Sequence, residues 1–143
     1  MRTLFRLTFF VLLIAGLATA AAASDEKESA AVAAVAPWLS LVDSGQYAES
    51  WFQASSDFRN LASKEQWVDA LKTVRTPLGK LMSRQLKTSK YTTNLPNTRP
   101  GEFVVIQYNT DYEKAPGMIE TVVAVLEKSG AWKVTGYYIK RAG

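Results

Sequence analysis

The sequence predicts an α+β domain in which three N-terminal helices pack on a curved, four-stranded antiparallel meander sheet. Two observations carry this expectation. Before about residue 80 the apolar side chains recur at spacings of three and four, and after it at every second position. Turn-forming residues then cut the second half into four consecutive segments joined by short loops, which suits hairpins rather than crossovers.

The chain opens with a leader. Arg2 and Arg6 give a positive start, Leu7 to Leu17 is an almost unbroken apolar run, and Ala-x-Ala sites end at Ala20, Ala22 or Ala23 before the polar Ser24-Asp25-Glu26. That is the pattern of a cleavable secretory signal. A retained anchor needs roughly 20 apolar residues, and this run is shorter. The expectation is a cleaved signal peptide over residues 1–23 and a single α+β domain over 24–143, periplasmic or secreted, with no membrane attachment after cleavage. Loss of Arg2 and Arg6 takes the formal charge from +4 to near +2. So mild a balance gives no reason to expect nucleic acid as a partner.

Within the domain, Val32, Val35, Leu39 and Val42 mark the first helix, interrupted by Pro37, where a kink is expected, and ended by Ser44-Gly45. Tyr47, Trp51, Ala54 and Phe58 mark a second helix that breaks near Ser55-Ser56. Ser63 opens the third, with Gln66 completing a capping box. Its stripe is Trp67, Leu71, Val74 and Leu78, and Thr76-Pro77 with Gly79 closes it. Strands are expected over Leu81–Thr93, Glu102–Tyr112, Ile119–Glu127 and Trp132–Lys140. A loop over 94–101, an Ala115-Pro116-Gly117 turn and a tight Ser129-Gly130 hairpin join them.

A run of words spans roughly residues 36 to 140. It begins with Trp38-Leu39-x-Leu41-Val42-Asp43-x-Gly45-x-Tyr47-Ala48-Glu49-Ser50-Trp51 and continues through Pro77-Leu78-Gly79, Ser83-Arg84-x-Leu86 and Tyr91-Thr92-Thr93-x-Leu95-Pro96. It closes with Gly101-Glu102-Phe103-Val104-Val105-Ile106-Gln107-Tyr108, Glu120-Thr121-Val122 and Gly130-x-Trp132-x-Val134-x-Gly136-Tyr137-Tyr138-Ile139. These words resemble an uncharacterised family of short exported bacterial proteins, a domain of unknown function. The order of elements is similar to the cone-shaped (cystatin-like) fold of the nuclear-transport-factor-2-like superfamily. The resemblance implies export and that fold, and brings no reaction or ligand.

The residue types remove whole chemistries. With neither cysteine nor histidine in the chain, Ser-His-Asp and Cys-His machinery, disulfides and the usual zinc sites are excluded. No glycine-rich phosphate loop is present, and no cofactor is implied. Asp111, Glu113 and Glu120 could meet around one hairpin as paired carboxylates, against the plainer reading of a solvated strand end.

Strand parity singles out further residues. With Ser129-Gly130 as a two-residue turn, Val125 faces Val134, Val123 faces Gly136 and Thr121 faces Tyr138 on a core face that also holds Trp132. On the neighbouring strands the apolar parity is Val104, Ile106, Tyr108 and Tyr112, and Met82, Arg84 and Leu86. Arg84 is then a charge on an apolar face. It must find a carboxylate, carbonyl groups or an anionic ligand, and Asp43 or Glu49 would serve as a structural partner. With Tyr108, Thr121 and Tyr138, Arg84 could instead line a cavity between sheet and helices for a small anionic or hydroxylated molecule. The opposite face, with Gln107, Glu120, Val122, Tyr137 and Ile139, would suit a homodimer interface. Three of the four tryptophans lie on the helices, where core packing outweighs sugar binding. Lys80, Arg84, Lys87 and Lys90 give one strand a basic edge that could touch anionic envelope components or discourage strand addition.

The leading expectation is therefore a non-catalytic periplasmic binding or interaction module. The rivals are a proton-transfer, isomerase-like enzyme using Tyr108 or Tyr138 with Asp111 or Glu120, and a structural envelope homodimer.

Overall fold

The computed structural model describes residues 15–143, with side chains from Thr19 onward. The charged start and most of the apolar run of the leader lie outside the described residues. Helix α1 (Ala15–Asp43) is followed by α2 (Tyr47–Gln53), α3 (Ser56–Leu61), α4 (Lys64–Arg75) and a short 3-10 turn, Thr76–Leu78. Strands β1 (Leu81–Thr92), β2 (Phe103–Tyr112), β3 (Ala115–Leu126) and β4 (Trp132–Arg141) form one antiparallel sheet in the order β1-β2-β3-β4. The helices precede the strands, and the architecture is α+β.

The expected second helix is two. Ser55, extended at its own φ and ψ, accepts a hydrogen bond from Phe58 N at 3.1 Å and starts α3 as an N-cap. The capping box at Ser63 and Gln66 is present and opens α4. Helix α1 continues through Pro37. Pro37 lies on the exposed side, where the carbonyl freed by its missing N–H is open to water.

Helix α1 lies across the sheet, contacting both edge strands, and buries Ala31, Val35, Trp38, Leu39 and Val42 against Val104, Ile106, Val122, Ala124 and Val134. At its middle it is clamped to β1. Glu28 Oε1 accepts from Tyr91 N at 2.8 Å, and Lys27 pairs with Glu102, which also accepts from the Tyr91 hydroxyl at 2.8 Å. Three helix tryptophans pack into this layer with each indole N–H satisfied. Trp38 donates to Ser50 O, Trp67 to Ser50 Oγ and Trp51 to Ala62 O. Trp38 and Tyr137 meet edge-on with centroids 5.3 Å apart.

Two turns differ from expectation. Tyr112 pairs with Ala115, so Glu113 and Lys114 form the β2–β3 turn, and Ala115-Pro116-Gly117 belong to β3. Pro116 falls where the register slips, so its missing N–H interrupts no regular ladder. The Gly117 N–H donates to Asp111 Oδ1 at 2.7 Å. The last hairpin is wider than two residues, with Glu127 N bonded to Ala131 O.

Thr121 pairs with Tyr138 and Val123 with Gly136, as expected, but Ala124 then pairs with Val134 and Val125 with Lys133. Thr135 is an extra residue, a β-bulge. It reverses the parity of β4. Trp132 and Val134 face the helices as expected, and beyond the bulge Tyr137 does so in place of Gly136 and Tyr138. The expected face assignment for β3 and the end of β4 is thereby corrected. Glu120 and Val122 are fully buried on the helix side, and Thr121, Val123 and Tyr138 are on the outer side.

Candidate functional site

The sheet carries two sites, one on each face. On the helix side four charged residues converge. Asp43 is the last residue of α1, Arg75 ends α4, Arg84 sits on β1 and Glu120 on β3. Arg84 makes four hydrogen bonds. Its Nη1 and Nη2 reach Asp43 Oδ2 and Oδ1 at 2.7 and 2.9 Å, and its Nε and Nη2 reach Glu120 Oε1 and Oε2 at 2.7 and 3.1 Å. Both pairs have the forked geometry that guanidinium and carboxylate favour. Arg75 Nη2 adds a 3.1 Å bond to Asp43 Oδ1, and its guanidinium lies 4.8 Å from the Tyr112 ring centroid. Asp43, a carboxylate at the negative end of a helix, is an unfavourable placement that the two arginines offset.

Glu120 has no exposed surface. Besides Arg84 it accepts from Thr110 Oγ1 at 3.0 Å, from the Tyr112 hydroxyl at 2.9 Å and from the Tyr137 hydroxyl. Burial alone would raise its carboxyl. The bonds and charge of Arg84, then those from Tyr137 and Tyr112, reverse that and hold it below its ordinary value. Burial, reinforced by the Glu120 charge, pushes both the Tyr112 and the Tyr137 phenol well above their ordinary range, so both stay hydrogen-bond donors. Arg84 is held more firmly protonated than a free arginine: its bonds to Asp43 and Glu120 outweigh the opposing effect of burial. Two cations and two anions leave the cluster neutral, and Arg84's acceptors are already in place.

On the outer face a groove of about 680 Å³ opens between the loop over 94–101, α3 and the sheet. Its floor is Phe103, Val105 and Val123, deepened where Gly136 lacks a side chain, with the Thr121 and Tyr138 hydroxyls beside it. Arg99 of the loop pairs with Asp57 of α3. A second groove of similar volume starts on the far side of that bridge and shares Asp57, Arg99 and Phe103 with the first.

The four residues expected to bind a ligand together are therefore split. Arg84 and Tyr108 face the helices, 5.9 Å from guanidinium carbon to ring centroid, whereas Thr121 and Tyr138 line the outer groove. Of the residues expected at an interface, Gln107 is on the outer face. Glu120 and Val122 are buried, Tyr137 packs on the core, and Ile139 packs near Tyr112 and Met118. Asp111, Glu113 and Glu120 are not brought together, because Asp111 binds Ser83 and Gly117 on the outer side while Glu120 points inward. Arg75 and Tyr112 were missed as partners. Arg75 continues the Trp67, Leu71 stripe at the next four-residue step, where Val74 is 44 % exposed.

Fold and site together define a small α+β domain whose helix layer is locked to its sheet by a neutral ion cluster. The chain belongs to the family described as Protein of unknown function (DUF4019), whose model matches residues 34–137, from within α1 to Tyr137. No curated protein and no solved structure matches it. Among the described residues no helix is long and apolar enough to cross a membrane.

Proposed function

We propose that this protein is a non-catalytic binding module of the periplasm or another exported compartment, and that its ligand sits in the outer-face groove. The observation that carries the reading is the placement of apolar side chains on the solvent side of the sheet. Phe103 and Val123 are 5 % and 7 % exposed there, roofed by loop and helix, although the helix side already provides a core. A concave apolar floor with hydroxyls at its margin is the usual make-up of a small-molecule site. The helix side fits a structural role instead, since aromatic and aliphatic side chains pack the space and the charges pair with one another, only Arg75 Nε being left without a partner among the described buried side-chain atoms. The export part rests on the Ala-x-Ala tract before Ser24. The order of helices followed by a four-stranded antiparallel meander, with α1 packed across one face, is consistent with a nuclear-transport-factor-2-like cone.

The test is a fragment titration followed by amide chemical shifts, on wild type and on Gly136→Val. A Cβ at Gly136 meets Val123 and Tyr138 side-chain atoms at 3.4 Å, the near limit of ordinary contact, so a valine there occupies the groove floor with those two side chains giving way. Shifts that cluster at Val105, Val123 and Tyr138 and vanish in the variant support the reading. Clustering around Trp38 and Trp132, or persistence in the variant, defeats it. N-terminal sequencing of the exported protein checks the leader, with a start between residues 21 and 25 expected.

A further inference from the structure

We infer that the ligand class of the outer groove is a single-chain anionic amphiphile, with an alkyl chain on the apolar floor and an anionic head held by the basic rim. The inference rests on the groove being the binding site. The two grooves that share Asp57, Arg99 and Phe103 form an elongated trough along the outer face, interrupted by one exposed ion pair. An extended chain fits that shape better than a compact, ring-like molecule. Bridges of this exposure contribute little to stability, so the trough is easily made continuous.

Charge selects the head. Lys90 stands in the same outer row as Val105, Lys133 in the row of Val125, and Lys128 lines the second groove. Each lacks an ion pair among the described residues. The nearby acids are engaged, Asp57 with Arg99 and Glu127 as acceptor for Ser56 N at 3.0 Å. The charges that line the two grooves balance, Asp57 and Glu127 against Arg99 and Lys128. Lys90 and Lys133 in the adjoining rows make the surround positive, which repels a second copy and attracts an anionic head. Lys90 and Lys128 are exposed and Lys133 half-buried, so their contribution weakens with salt.

The probe is dodecanoate below its micelle concentration, titrated calorimetrically into the purified protein. Dodecyl maltoside presents the same chain without charge, and acetate presents the head alone. We expect dodecanoate to bind and shift the groove amides, dodecyl maltoside to bind at least about tenfold more weakly, and acetate not to bind. The double variant Lys90→Glu/Lys133→Glu should weaken dodecanoate by about tenfold while leaving the far-UV spectrum unchanged, and Gly136→Val should abolish binding. If Gly136→Val misfolds, Gly136→Ala must still weaken binding. Equal binding of dodecanoate and the maltoside, or indifference to the lysine reversals, overturns the anionic class and leaves the groove standing. Fragments that map to the groove while neither amphiphile binds overturn it as well. Failure of fragments and amphiphiles together removes the groove reading itself. Association with phosphatidylglycerol vesicles that survives Gly136→Val would assign the basic residues to a membrane surface instead.

Discussion

The two faces of this sheet contain similar side chains put to opposite uses. On the helix side four ionisable groups, Arg75 and Glu120 buried and Asp43 and Arg84 half-buried, are paired with one another, and aromatic residues fill what remains. On the outer side apolar residues are held under a loop by a single exposed ion pair, and the nearby lysines keep their charge turned to water. The contrast teaches where free energy is stored and where it is left available. A charge buried with its partners resists change, because moving any one of them strands the others. An apolar floor beneath a weakly held loop can exchange water for a ligand at small cost.

The largest effect should come from breaking the inner cluster. Glu120→Ala leaves two arginines facing Asp43 alone, together with two buried tyrosine hydroxyls that have lost their acceptor. Removing one partner of a buried ion pair costs about 3–5 kcal/mol, and urea denaturation at neutral pH measures it. Arg84→Met should destabilise comparably, without any ligand present. The double variant Arg84→Met/Glu120→Leu should recover part of the loss, since it strands one buried charge fewer. If each single variant costs less than about 1 kcal/mol, the cluster is not the lock between α1 and the sheet.

Acid titration sharpens the same comparison. The folded Glu120 carboxyl lies below its ordinary value of 4.5, so between the two values the unfolded chain binds more protons than the folded one. The stabilisation is complete above about pH 4.5 and is lost as the pH falls through the folded value. In Arg84→Met the largest opposing influence is gone, and burial should outweigh the remaining Tyr137 and Tyr112 bonds and raise the folded carboxyl. Its effect on stability then changes sign, and acidification through that raised value should stabilise the variant relative to neutral pH. Stability measured from pH 3 to 7 for both proteins decides this, and parallel curves would refute the role given to Arg84.

How much of this was legible in the sequence depends on inserted residues, Thr135 above all, but also Met82, which falls where the β1 register slips and is exposed and not on the core face expected of it. The switch from helical to alternating periodicity pointed to the α+β plan, and Arg84's need for a partner was anticipated, with Asp43 named as the structural alternative to the ligand-binding role that Arg84 was assigned. The β2 parity was right at Val104, Ile106, Tyr108 and Tyr112. Parity failed on β3 and β4 because the bulge at Thr135 reverses every side chain beyond it. Regular alternation carried from Trp132 and Val134 put Gly136 and Tyr138 inside and, by pairing, Thr121 and Val123 with them. The apolar character of Val123 and Val125 reinforced the error. Those valines line the outer grooves, so an apolar outer surface imitated a core face. Glu120 was hidden by the same slip, as it lay on the strand parity taken for solvent.

Filling the groove should disturb the fold far less than opening the cluster. A strand glycine carries a conformational cost that a β-branched residue removes, and the Cβ contacts at Gly136 lie at the near limit of ordinary contact. Gly136→Val should therefore change stability by about 1 kcal/mol or less while eliminating ligand shifts. A loss comparable to that of Glu120→Ala would mean that the outer floor is a second core and no site at all.

The smallest effect belongs to the bridge over the groove. The Arg99 side chain is 78 % exposed and its partner Asp57 38 %, so the pair is screened by water and salt. Arg99→Gln should lower global stability by well under 1 kcal/mol and leave the acid limb untouched, since neither residue contacts the inner cluster. Its signature is local: the loop between β1 and β2 is released from α3, and its amides exchange faster with deuterium while those of β2 and β3 do not change. Raising the salt concentration should produce the same pattern in the wild-type protein and add nothing in the variant. Uniform acceleration across the sheet in Arg99→Gln would instead make the bridge part of the framework, and the division of labour between the two faces would not hold.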